Sequence, residues 1–267
     1  MEQRLELLKN TRLFVLDMDG TFYLGEGILP GALEFLSIVK QSGRDFLFFT
    51  NNSSKAPEDY ILKLAGMGCY IERKQIMTSG DVTIRYLNTY HRGKQVYLVG
   101  TPALEKSFLE CGIPLTTEQP DIVVVGFDTT LTYEKLERAC TYIRNGALFL
   151  ATHLDINCPV ENGFIPDCGA FCAAIQLSTG KTPKFLGKPF GETVEMVMDL
   201  TGADKSHTAF VGDRLYTDVA TGVNNGAMGL LVLTGETKKE DIAASDVQPN
   251  AVYESLEEMG RLLQSLQ

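Results

Sequence analysis

No stretch of the 267-residue chain is apolar for long enough to read as a membrane span, and the opening MEQRLELLKN is charged and amphipathic where a secretory leader needs a continuous apolar run. The expectation is a soluble, cytoplasmic protein. Basic charge is in short supply: 24 Lys and Arg stand against 34 Asp and Glu, for a net charge of −10. Nucleic acid and anionic membrane are poor partners for such a chain, so an anionic ligand must be captured locally, by a metal, a few lysines and backbone amides. CxxC spacing is absent among Cys69, Cys111, Cys140, Cys158, Cys168 and Cys172, which read as reduced thiols. His153, Cys158, Cys168 and Cys172 match no common zinc spacing. GKT at Gly180–Thr182 ends like a P-loop, but the required first glycine falls on Ile175. His91 and His207 have no serine or cysteine partner evident in sequence, which argues against a catalytic triad. Linker-like Pro, Gly or Ser tracts, repeats and low-complexity segments are also missing.

What the chain does have is LFVLDMDGT, Leu13 to Thr21, an apolar run that ends in Asp17, Asp19, Gly20 and Thr21. Four apolar residues bounded by turn formers predict a buried strand and a tight loop. Two carboxylates one residue apart repel each other, and a divalent cation is the natural compensation. Alone, a DxDG run serves equally well as a loop or helix cap.

Further along, GALEFLSIVKQSG predicts a crossover helix with Gly43 beyond its end, and RDFLFFTNNSS a second strand ending in Thr50, Asn51 and Asn52. Pro57 with Glu58 and Asp59 suits a helix start. From about Asp81 to Pro183 a second α/β series is expected, with strands in KQVYLVG, DIVVVGF and ALFLAT and helices in TPALEKSFLECG and TYEKLERACTYIRNG. Then KFLGKP places Lys188 after a short apolar run, and HTAFVGDRLYTD predicts a strand ending in Gly212 and Asp213, with Asp218 five residues on. MGLLVLTG reads as another strand and SLEEMGRLLQSL as an amphipathic helix. Four apolar runs thus end in polar groups, and a parallel sheet would gather those ends on one edge. Carboxylates, a hydroxyl and an amine there suit Mg²⁺ and phosphate.

DMDGT with Tyr23 and Gly25, then FFTNNSS, GKP and GDRLYTD, in that order over nearly the whole chain, resemble the haloacid dehalogenase (HAD) superfamily, and within it the NagD-like phosphatases with a large inserted cap. The resemblance implies a doubly wound, Rossmann-like parallel-sheet core over residues 1–80 and 184–267, and an inserted α/β cap over 81–183 that selects substrate. It implies a Mg²⁺-dependent phosphatase acting on small phosphorylated metabolites through an aspartyl-phosphate intermediate, and a homodimer formed through the cap. Asp17 would be the nucleophile and Asp19 the general acid and base. Asp17, the main-chain carbonyl of Asp19, and Asp213 would hold Mg²⁺; Thr50, Asn51 and Lys188 would hold phosphate; Asp218 would support the site from behind. The segment Ala151–Ala170 resembles the part of the cap that overlies the active site, but His153 and Leu154 stand where Asn and Pro are usual, and Asp167 and Cys168 where small residues are frequent. A receiver-type signalling module shares the acidic cluster but needs about half this length. A carbon–halogen hydrolase of the same superfamily needs neither Asp19 nor a metal. A phosphotransferase or mutase keeps every one of these residues, and that alternative stays open.

Overall fold

Leu13–Leu16 forms a strand buried along its whole length, as an all-apolar strand flanked on both sides must be. In the computed structural model, which describes residues 2–160 and 163–266, it lies inside a six-stranded sheet. The order is Ala251–Tyr253, Met228–Val232, Thr208–Gly212, Leu13–Leu16, Asp45–Thr50 and Ile76–Thr78. The pairings among the first five are parallel, with Leu16 in register with Val211 on one side and Phe48 on the other. Crossover helices wind the sheet. Ala32–Gln41 buries Ala32, Phe35, Leu36 and Val39, which recur at helical spacing, and packs on Leu256–Gln264, which buries Leu256, Met259 and Leu263. Phe14 and Phe35 meet edge to face at 5.3 Å, tying helix to sheet.

The chain divides into two units. Met1–Thr50, Ile61–Ile76 and Lys188–Gln267 form the first; Asn51–Tyr60 and Met77–Gly187 form the second. The second has its own four-stranded parallel sheet, in the order Lys184–Phe185, Leu148–Ala151, Ile122–Val125 and Val96–Val99. Its core includes Val99, Val123, Val125, Phe127, Ile143, Phe149 and Ile175. Helices Pro102–Glu110 and Tyr133–Arg144 start where Thr101 and Thr132 accept backbone N–H groups with their hydroxyls. A third helix, Cys168–Thr179, is capped by Asp167 and closed by Gly180 in the left-handed region. Asn157–Val160 pairs antiparallel with Gly163–Pro166; Glu161 and Asn162, within the Ala151–Ala170 segment, lie outside the described residues.

One sequence-based expectation is corrected here. The apolar run before Lys188 is not a strand of the six-stranded sheet: Lys184–Phe185 pairs with Leu148–Ala151 in the other sheet. A two-residue strand carries too little pattern to show which sheet it joins, and pairing with Leu150 and Ala151 is a long-range choice. No described helix is long and apolar enough to cross a membrane.

Candidate active site

The strand Leu13–Leu16 has Asp45–Thr50 on one side and Thr208–Gly212 on the other, so the chain turns in opposite directions from it. Beyond the carboxyl ends of such neighbours lies the crevice where open α/β sheets bind ligands. Asp17 follows the central strand directly, Asp213 follows Gly212, and half-buried Thr50 ends the third. The Asp17 amide donates to the Val211 carbonyl at 2.8 Å, extending the ladder by one residue and fixing where that backbone points. Gly20 has φ +80° and donates to the Tyr23 carbonyl; a Cβ there would stand 2.7 Å from Asp213 Oδ2. Glycine thus lets the two acid-bearing loops touch. Thr21 Oγ1 donates to Asp213 Oδ1 at 3.3 Å, a role its place in DMDGT did not announce.

Lys188 arrives from a loop and is 4% exposed. Its ammonium donates to Asp17 Oδ1 at 2.5 Å, to Asp218 Oδ1 at 2.6 Å and to the Phe49 carbonyl at 3.4 Å. The two carboxylate bonds are short and the carbonyl contact is long. Asp218 sits in a π-helical turn, Leu215–Val219, and its second oxygen accepts the Arg214 amide at 3.0 Å. Both of its oxygens are therefore engaged within the protein.

Asp17, Asp213 and Asp218 each bring a carboxylate oxygen within 4.8 Å of the others. Burial and the Asp218 charge push Asp17 well above the usual carboxylate range, with Lys188 only partly opposing them. Asp213 is pushed up to about 6, chiefly by burial and by Asp218, against the Glu236 amide and Arg214. Asp19 is also raised by burial, against Lys63 and Arg214. For Lys188, burial works against its charge, yet Asp17 and Asp218 outweigh it and raise its pKa. The site remains short of positive charge after Lys188 is counted. Its donors are all oxygens, the set that suits a hard divalent cation such as Mg²⁺.

A family described as haloacid dehalogenase-like hydrolase matches residues 14–114, and one described as HAD-hydrolase-like matches residues 185–259. The chain is 36% identical to the 5'-nucleotidase YutF of Bacillus subtilis, over 94% of its own length and 98% of that protein's. It is 35% identical to an acid sugar phosphatase of Staphylococcus aureus, over 94% and 97% of the two chains. The chain belongs to the haloacid dehalogenase-like hydrolases. The 4-nitrophenylphosphatase structure from Thermotoga maritima superposes with a TM-score of 0.93 at 45% identity, covering 96% of this chain and 98% of that one. The protein is thus a phosphoric monoester hydrolase of the HAD type, in its NagD-like branch.

In this HAD hydrolase Asn51 falls in the second unit, where its side-chain amide donates to Asp155 Oδ2 at 2.9 Å and its carbonyl accepts from Ser79 Oγ at 2.5 Å. The unusual His153 and Asp167 answer each other: His153 Nε2 is 2.8 Å from Asp167 Oδ1, with both side chains buried. The other ring nitrogen lies 2.9 Å from Thr152 Oγ1 and 3.3 Å from Ser79 Oγ. Burial opposes charge on His153, but Cys168, Asp167 and Asp155 outweigh it and hold its pKa up at about 9. His153, Asp155 and Asp167 also approach within 4.8 Å, yet with both ring nitrogens committed the group reads as a buried ion pair. Two further features were not anticipated, Arg214 and the loop Thr234–Thr237 behind Asp213. Their signal is faint: a charged residue after GD, and TGET after a strand.

Proposed function

We propose that this HAD hydrolase is a Mg²⁺-dependent phosphatase of small phosphomonoester metabolites, working through an aspartyl-phosphate on Asp17. The observation that carries the reading is the Lys188 ammonium fixed between Asp17 and Asp218, with Asp213 alongside and negative charge left over. Asp17, held by Lys188, attacks phosphorus; the bond to the ester oxygen breaks, and Asp19 gives that oxygen a proton. Asp19 then takes a proton from water, whose oxygen attacks phosphorus and releases phosphate from Asp17. Asp19 suits the role because its carboxylate lies outside the three-acid cluster and its raised pKa favours the protonated form that an acid needs. Thr50 and Lys188 hold the phosphate oxygens, with Asn51 next to Thr50 in the chain. Asp17, Asp213 and the Asp19 main-chain carbonyl would hold Mg²⁺, which when bound would supply charge neutralisation and alignment of the phosphate. Asp218, with both oxygens engaged, holds Lys188 and the Arg214 backbone in place.

The names of the relatives favour sugar phosphates and nucleotides as the substrate class, and the second unit, as the inserted cap, carries the choice among them. Six free cysteines suit a reducing, cytoplasmic setting. The test is phosphate release from a panel of sugar phosphates, nucleoside monophosphates and 4-nitrophenyl phosphate, with Mg²⁺ and with excess EDTA. Release should require Mg²⁺ and vanish in Asp17→Asn, a loss of at least about 10³-fold. Appreciable turnover by that variant would remove Asp17 as nucleophile, and release undiminished by EDTA would remove the metal.

A further inference from the structure

Behind Asp213 lies Thr234–Thr237, the loop that follows the strand Met228–Val232. The Glu236 amide donates to Asp213 Oδ2 at 2.6 Å, and the Thr237 amide to the Asp213 carbonyl at 3.2 Å. Thr234 Oγ1 donates to the Gly20 carbonyl at 2.7 Å, so one loop touches both acid-bearing segments. Gly235 makes the approach feasible, since a Cβ there would stand 2.0 Å from Asp213 Oδ2. The Glu236 side chain then turns back to Arg214, whose Nε is 2.9 Å from Oε2. The contact is an ion pair and not an aligned hydrogen bond. Arg214 in turn is anchored by its own amide on Asp218. The circuit Asp213, Arg214, Glu236 closes on itself.

A carboxylate that must present one oxygen to a cation is better prepared if its other oxygen is already occupied. The Glu236 amide does this for Asp213, but a loop amide stays in place only while the loop does. Of the Glu236 side chain, 49% is exposed, and of the Arg214 side chain 20%. Among the described residues, theirs is the ion pair that ties this loop to the Asp213 segment.

We propose that Arg214 and Glu236 are positioning residues: their ion pair latches the Thr234–Thr237 loop, so that Asp213 Oδ2 is held by the Glu236 amide while Oδ1, which accepts the Thr21 hydroxyl at 3.3 Å, turns its other lone pair to a divalent cation. The proposal deepens the metal reading above and rests on it. It makes a prediction opposite in sign to simple electrostatics. Arg214 is a cation beside an acidic site, so if it acted through its field alone, its removal would strengthen Mg²⁺ binding. If it acts through the latch, its removal weakens binding.

The experiment is calorimetric titration of Mg²⁺ into the full-length protein, without substrate, for wild type, Arg214→Gln and Glu236→Asp, with the melting temperature of each taken in EDTA as a folding control. Glu236→Asp keeps the charge but shortens the reach, at a half-exposed position that tolerates change. The expected result is about a tenfold or greater weakening of Mg²⁺ affinity in both variants, the scale of effect seen when a group supporting a metal ligand is lost. Wild-type affinity in Glu236→Asp would overturn the latch, and so would equal or tighter binding in Arg214→Gln. No Mg²⁺ binding by the wild type would overturn the metal reading and the latch together, which distinguishes the two failures.

Discussion

Lys188 shows what a single residue does in this protein. It is the buried cation between Asp17 and Asp218, and its removal leaves two carboxylates facing each other with no ammonium between them. Breaking a buried pair from one side costs about 3–5 kcal/mol. Lys188→Met should therefore lose that order of stability in EDTA at pH 8, measured by urea unfolding, together with its turnover. The loss should shrink at pH 5. A carboxyl whose folded pKa lies above its unfolded value destabilises the fold as pH rises through the folded pKa, and protonation at low pH relieves it. Burial and Asp218 already push Asp17 in that direction with Lys188 present. A variant as stable as wild type at pH 8 would show that the three groups are not coupled as described. Lys188 was nameable from GKP; the identity of its partners was not, because Asp17 is 171 residues away and Asp218 is 30.

At the scale of elements, the helix Cys168–Thr179 starts on Asp167, whose Oδ1 accepts the Cys168 amide at 2.6 Å and also faces His153. One carboxylate caps a helix and neutralises an imidazolium. The His153 pKa is raised from 6.5 to about 9, so the folded state holds this proton more tightly than the unfolded chain does. The stabilisation is fully present below about pH 6.5 and is lost as pH rises through about 9; a shift of this size corresponds to about 3 kcal/mol. Wild type minus His153→Gln should thus show a stability difference that narrows between pH 6.5 and 9.5 in denaturant unfolding. A difference independent of pH would mean that His153 is neutral. In sequence the two residues read as separate oddities, since nothing along the chain says that positions 14 apart will meet. Strand Leu13–Leu16 and the helix Ala32–Gln41 were legible because their periodicity is long and local. The two-residue strand Lys184–Phe185 was not.

At the scale of the whole molecule, among the described residues, each unit has one large sheet and one acidic cluster. The site proposed for Mg²⁺ is confined to the first unit, in the segments after Leu16 and Gly212. Hydrogen exchange followed by mass spectrometry should show added protection on Mg²⁺ binding across residues 17–21 and 213–219. Strands Val96–Val99 and Ile122–Val125 should stay unchanged. Protection arising instead around His153, Asp155 and Asp167 would move the metal to the second unit and refute the first-unit site.

Sequence alone was enough to establish the fold class and the family, because buried parallel strands read as apolar runs and the four motifs recur in a set order with set chemistry. It could also name Asp17, Asp19, Asp213 and Lys188 as candidates, since each follows an apolar run or sits in one of those motifs. Only the tertiary structure decided which oxygen of Asp218 faces Lys188, that Asn51 binds Asp155, that His153 answers Asp167, and that Glu236 reaches Arg214 behind Asp213. The physical reason is the range of the interactions. Propensity and periodicity act over a few residues, whereas each of these pairings joins segments that meet only after the sheets have formed.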